Sequence, residues 1–272
     1  MSSTFVPSTA AAEAAATTGQ PLAVMTEALS FSYPDSSRVV DNVSLHIAAG
    51  ERVGIIGHNG CGKTTLFMLL CGVLTPSEGN VWLFDEPVQP GQFRPEVGLL
   101  FQDPDDQLFS ASVADDIAFG PQNMGLEDAE VAVRVQEALA LTGLERLANR
   151  PPHHLSGGEK QMVAIAGLLA MKPRILLYDE PTASLDLRTR RRLIHFLQQA
   201  PETLLISSHD LEFVLEVCDR VLLIDDGRVI ADGNAREVMG NQALMEAHGL
   251  EKPHSLVLHS EPHHRSGNPP NL

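Results

Sequence analysis

Between Gly57 and Thr65 the chain reads GHNGCGKTT. Glycines at 57, 60 and 62 allow a tight turn whose backbone N–H groups point inward, at phosphate oxygens. The apolar run ERVGIIG precedes the loop and the helix-like KTTLFMLLCGVL follows it, the setting this spacing requires. A helix starting at Lys63 adds the positive end of its dipole. In such a loop Lys63 holds the β- and γ-phosphates of a nucleoside triphosphate and the Thr64 hydroxyl is a Mg2+ ligand. Gly57, His58, Asn59, Gly60, Cys61, Gly62 and Thr65 complete the cradle. Helix dipole and Lys63 together should lower the pKa of Cys61, leaving a thiol open to labelling that bound ATP blocks.

Two further stretches carry chemistry. RILLYDE is an apolar strand that ends in Asp179, a carboxylate for the Mg2+, and Glu180, a general base for the water that attacks the γ-phosphate. LSGGEKQ, Leu155 to Gln161, is a Ser/Gly-rich loop opening a helix, physically a second anion site.

The elements that must position these residues read as α/β. Ala23 to Tyr33 and Val43 to Ile47 form an antiparallel lobe with YPDSS as its turn, and NVWLF and VGLLF are further strands. The pattern is helical from Ser112 to about Gly143, from Ser156 to about Ala170 and from Asp186 to Gln199. TLLISSHD, RVLLIDD and GRVIADG supply the remaining strands. Asp103, Asp105 and Asp106, in FQDPDDQLF, cap and solvate a turn. Residues 1–20 are expected to be a disordered leader, 21–240 a folded domain and 241–272 a flexible His/Pro-rich extension.

Composition excludes several classes. A net charge of −16 without a basic stripe is the opposite of a nucleic-acid footprint and is not drawn to anionic lipid. No apolar run reaches the ~18 residues of a membrane span, so any membrane role is peripheral and held by protein partners. Three cysteines without ligand spacing, Cys61, Cys71 and Cys218, fit a reducing compartment.

The motif order over residues 22–240 resembles that of the ABC ATPases, with LSGGEKQ matching their signature motif. That resemblance implies an α/β P-loop NTPase (RecA-like) core, an antiparallel β lobe and a helical subdomain carrying the signature. It also implies a head-to-tail homodimer, or a heterodimer with a second ATPase, in which Ser156, Gly157, Gly158 and Glu159 reach the ATP of the other subunit. By the same resemblance Tyr33 stacks on adenine, with Phe31 as second candidate, and Gln102 senses Mg2+ and the attacking water. Asp186, in SLD, belongs to the interface loop, and His209 is the switch histidine.

FSYPD together with FQDPDDQLFSASVADDIAFGPQNMGL is similar to the ATPase subunits of energy-coupling factor importers. This implies a peripheral subunit on the cytoplasmic face of the cell membrane, working with an integral coupling subunit and a substrate-binding membrane subunit. Leu108, Phe109, Val113, Ile117 and Phe119 would form part of the groove that grips a cytoplasmic helix of the coupling subunit, with some of them spent on the domain's own core. Cobalt or nickel is the favoured solute and a vitamin the alternative. Five of the eleven histidines, at 248, 254, 259, 263 and 264, make a metal-handling tail conceivable. A DNA-maintenance ABC protein would need a coiled-coil insertion or a basic surface, and a small-molecule kinase has no use for LSGGE.

Overall fold

Two sheets meet at the glycine loop. The computed structural model describes residues 21–34 and 38–257. The leader, residues 35–37 of the YPDSS turn, and 258–272 with His259, His263 and His264 lie outside the described residues.

The first sheet is antiparallel, with β1 (Leu22–Ser32), β2 (Arg38–Ala48), β4 (Glu78–Leu83) and β5 (Glu86–Pro87) in the order β2-β1-β4-β5. The second holds β3 (Arg52–Ile56), β6 (Val97–Leu100), β7 (Ile175–Asp179), β8 (Thr203–Ser207), β9 (Arg220–Asp225) and β10 (Arg228–Asn234). Its order is β10-β9-β3-β8-β7-β6, parallel from β9 to β6 with β10 antiparallel at the edge. Every residue of β7 and β8 is buried, which is why these strands read as unbroken apolar runs instead of alternating ones.

Helix α1 (Lys63–Leu70) follows β3 directly and packs with the antiparallel sheet into one apolar cluster that includes Val24, Leu45, Ile55, Phe67 and Leu70. A second cluster joins the other face of the large sheet to α2 (Val113–Asn123), α3 (Asp128–Thr142) and α4 (Gly157–Met171). The expected continuous helix from Ser112 is thus two, parted at 124–127, where Gly125 takes a φ of 72° that other residues rarely adopt. Helices α5 (Leu187–Gln199), α6 (Leu211–Val217) and α7 (Ala235–Gly240) complete the domain.

The expected boundary at 240 is corrected by α8 (Gln242–Ala247). Met245 is fully buried and Leu250 and Leu256 pack on the same core. The Ser255 N–H also donates to Glu212 at 3.0 Å. Apolar anchors every few residues hold 241–257 against the domain, despite the Pro and His content that marked the segment as loose.

Tyr178, on β7 beside the edge strand β6, is wholly buried and its hydroxyl has no hydrogen-bond partner among the described residues. Burial raises its pKa, so the hydroxyl stays neutral. An unsatisfied buried hydroxyl costs about 1–3 kcal/mol. Tyr178→Phe should therefore stabilise the domain by about 1 kcal/mol, read as a rise of roughly 2–4 °C in the calorimetric midpoint; a lower midpoint would show that the hydroxyl is satisfied.

Candidate nucleotide-binding site

The glycine loop turns as its residues require. Gly62 has φ 105°, and a Cβ there would stand 2.4 Å from the Val39 carbonyl oxygen. At Gly57 a Cβ would stand 2.2 Å from the Ile224 carbonyl oxygen, so β9 closes the loop from behind. The loop opens on a cavity of about 350 Å³ lined by Val39, Asn59, Gly60, Gly62, Lys63, Thr64, Thr65, Gln102, Asp179, Glu180 and His209. Lys63 bends back over the loop, donating to the carbonyls of Gly57 at 2.9 Å and His58 at 3.1 Å. Its ammonium thus sits where arriving phosphates can take it over.

Asp179 ends β7 beside the start of α1. The Thr64 hydroxyl donates to its Oδ2 and the Ser207 hydroxyl to its Oδ1. With Gln102 on the same cavity wall, these are oxygen donors of the kind that Mg2+ takes, so the residues fit that ion. Glu180 is buried and adopts φ 49°, a left-handed conformation that costs a non-glycine residue on the order of 1–3 kcal/mol. Its Oε2 accepts from the His209 N–H at 3.2 Å and the Ser208 hydroxyl at 3.3 Å, and lies 2.7 Å from His209 Nδ1. Acid and histidine are therefore one unit. Sequence reasoning missed Ser207 and Ser208; their signal was the SS pair immediately before His209.

Two expectations for the loop are corrected. Cys61 is buried, at 2% exposure, and loss of water around it raises its thiol pKa, outweighing the opposite pull of Lys63. His58 does not line the cavity but turns to Asp225, its Nε2 lying 2.8 Å from Oδ1. Tyr33 is 40% exposed, with its hydroxyl 3.4 Å from Thr65 Oγ1 and its ring edge-on to Phe31 at 4.9 Å.

The signature loop stands apart from the cavity of its own chain, since Ser156, Gly157, Gly158 and Glu159 are absent from the lining. Ser156 caps α4 in a capping box: its hydroxyl accepts from the Glu159 N–H, and Glu159 Oε2 accepts from the Ser156 N–H at 2.8 Å. The Ser156 N–H holds the Glu159 pKa below the usual carboxylate range. The Glu159 carboxylate is thereby engaged at the helix start. Asp186 likewise caps α5, accepting from the Thr189 N–H at 2.7 Å, which lowers its pKa.

The stretch after Gln102 turns through a short 3₁₀ helix, Pro104–Asp106, capped by Asp103, whose Oδ1 accepts from the Asp105 N–H at 2.9 Å. Lys160 on α4 reaches Asp105 at 2.6 Å. Beyond it, Val113 and Ile117 are wholly buried and are the members of the expected groove that the domain spends on its own core. Phe109 and Phe119 remain 67% and 48% exposed and pack edge to face at 4.8 Å. They border an apolar groove of about 500 Å³ whose floor includes Val163, Leu168 and Met171 of α4.

The family model described as ABC transporter matches residues 40–183, spanning the loop, the signature and Asp179 to Ala183. The chain belongs to the ABC transporter family. This ABC ATPase is 63% identical over 236 residues, 87% of its length and 83% of the relative, to a Synechocystis protein provisionally named as an ABC transporter ATP-binding protein. It is 42% identical over 257 residues, 92% of its length and 95% of the relative, to the energy-coupling factor transporter ATP-binding protein EcfA of Carboxydothermus hydrogenoformans. Among solved structures it resembles cbiO1 from Clostridium perfringens, described as part of the ABC transporter complex cbiONQ. The TM-score is 0.72 at 38% identity, covering 84% of this chain and 94% of that one. It also resembles the ATP-binding cassette MJ0796, a dimer in a post-hydrolysis state with ADP and Pi, at TM-score 0.71 and 26% identity over 78% and 98% of the two chains.

Burial sets the behaviour of Cys61 in this ATPase. With its thiol pKa raised, the thiolate fraction at pH 8 falls below that of an ordinary cysteine. A maleimide or disulfide reagent should modify Cys61 at least tenfold more slowly than free cysteine even without nucleotide, as peptide mass mapping will show; rapid labelling would mean the loop opens.

Proposed function

We propose that this ABC ATPase is the ATP-hydrolysing subunit of an energy-coupling factor importer that drives uptake of a transition-metal ion, with cobalt or nickel favoured. The observation that carries the reading is one continuous path: from Gln102, on the wall of the phosphate cavity, the chain runs through the capped turn into the exposed Phe109 and Phe119 beside the apolar groove. An apolar groove with an aromatic rim suits an amphipathic helix of a membrane partner, which lays its apolar face into it. No helix among the described residues is long and apolar enough to cross a membrane, so a coupling subunit and a substrate-binding subunit supply the membrane passage. The likeness to EcfA and to cbiO1 and the FQDPDDQLF stretch support the importer type, and the choice of solute rests on the family resemblance.

In this reading backbone N–H groups of the glycine loop and Lys63 hold the phosphates, and Tyr33 meets the adenine. Thr64, Asp179 and Gln102 would hold Mg2+, which neutralises phosphate charge when bound. Glu180 takes the proton of the attacking water, and His209, tied to it, registers the γ-phosphate. The Ser156–Gly158 loop, exposed at Ser156 and Gly157, serves the nucleotide of a second copy, so ATP closes a homodimer and hydrolysis reopens it.

Glu180→Gln should lower turnover by about 10²- to 10⁴-fold while ATP still drives dimerisation, measured by phosphate release and size-exclusion chromatography. Turnover at the wild-type rate would remove Glu180 from the base role. Phe109→Asp should abolish co-purification with the membrane subunits and uptake of radioactive cobalt and nickel, with ATP hydrolysis by the isolated subunit retained. Unimpaired uptake would remove the groove from coupling, whereas vitamin uptake by the wild-type complex would change the solute.

A further inference from the structure

His58 turns its ring away from the phosphate cavity toward the β9–β10 hairpin. Its Nδ1 lies 2.8 Å from the Asn59 carbonyl oxygen, which can only accept, so Nδ1 carries a proton. Nε2 faces the Asp225 carboxylate at 2.8 Å. Facing an acceptor, Nε2 either bears a second proton or shares a cation with the carboxylate. Asp226 stands beside them: one ligand atom each from His58, Asp225 and Asp226 lies within 4.8 Å of the others. Ligands held about 2.0–2.2 Å from one ion are themselves roughly 3–4 Å apart, so small side-chain rotations suffice to close this set.

The surroundings of these three residues match those of ligands. An imidazole that binds metal through one nitrogen is aimed by a hydrogen bond from the other, here to the Asn59 carbonyl. A ligating carboxylate is held by a partner on its second oxygen, and here His248 Nδ1 lies 2.6 Å from Asp225 Oδ2. Both Asp225 oxygens are thus engaged by imidazoles, Oδ1 by His58 and Oδ2 by His248. His58 and Asp226 are exposed, which gives an ion a way in.

We infer that His58, Asp225 and Asp226 bind a divalent transition-metal ion of the Zn2+, Ni2+ or Co2+ class. One imidazole with two carboxylates favours these ions over Mg2+ or Ca2+. The ion replaces the proton on Nε2 and pins the glycine loop to the β9–β10 hairpin, with His248 tying the C-terminal segment to the same carboxylate. The site is independent of the solute carried and of the importer reading.

The test is titration of the nucleotide-free full chain with Co2+, followed by equilibrium dialysis and visible absorption. Asp226 and Gly227 both have positive φ, 46° and 74°, in a two-residue hairpin turn that accepts Asn-Gly as readily as Asp-Gly. Asp226→Asn therefore removes a ligand and keeps the turn. The expected result is one Co2+ site whose affinity falls at least tenfold in Asp226→Asn and about 10- to 100-fold in His248→Gln. Joint replacement of His259, His263 and His264 by alanine should leave it intact. The inference is overturned if Asp226→Asn binds Co2+ with wild-type affinity and spectrum, if the site vanishes only with those three histidines, or if no Co2+ binds.

Discussion

One carboxylate joins the parts on which catalysis depends. Asp179 ends a fully buried strand of the parallel sheet and accepts from two hydroxyls, Thr64 at the start of α1 and Ser207 at the end of β8. Three segments of the chain are fixed to each other beside the cavity that the glycine loop opens on. The carboxylate is almost fully removed from water, so its hydroxyl partners are what make its burial tolerable. In the proposed reading the same oxygens would hold the cation, and the fold already brings them together.

Around that centre the chain spends conformational strain and capping groups with different aims. Glu180 is forced left-handed directly after the strand, held by its N–H to Ser207 O at 3.0 Å and by its carboxylate to the His209 segment. Ser156, Glu159 and Asp186 use their polar atoms on their own helix starts. The first arrangement keeps an acid poised over the cavity; the second keeps two exposed loops rigid without placing them at the phosphates of the same chain. Gly158 lies so close to the loop bearing Asp186 that a Cβ would stand 3.2 Å from the Ser184 carbonyl oxygen, which makes the two loops one surface.

Much of this was legible because the phosphate chemistry is local. Loop glycines, Lys63, Thr64 and the strand-ending acids declare themselves within a few residues, and burial on both faces explains why β7 and β8 could be read as runs. What could not be read depends on contacts across the fold. Cys61 looked activated from its neighbours in sequence, yet the approach of β9 behind Gly57 buries it. Met245 and Leu256 sit in a stretch whose composition resembles a tail, and only the packing shows Met245 as core and Leu256 resting against it. Val113 and Ile117 could not be told from Phe109 and Phe119 by type, because the face each presents is decided by the packing of α2 on α4.

The Lys160–Asp105 pair, with a neighbouring clamp, gives the molecule a lever. Lys160 lies one turn into α4, and Asp105 lies three residues past Gln102. Asp116 on α2 meanwhile accepts from the N–H groups of Phe109 and Ser110 at 3.1 and 3.0 Å, clamping the rim of the groove to a second helix. Load placed on the aromatic rim is therefore borne by two helices in the same subdomain and not by a compliant loop. The aromatic rim, α2, α4 and the turn after Gln102 are thus tied together by side-chain contacts within one subdomain.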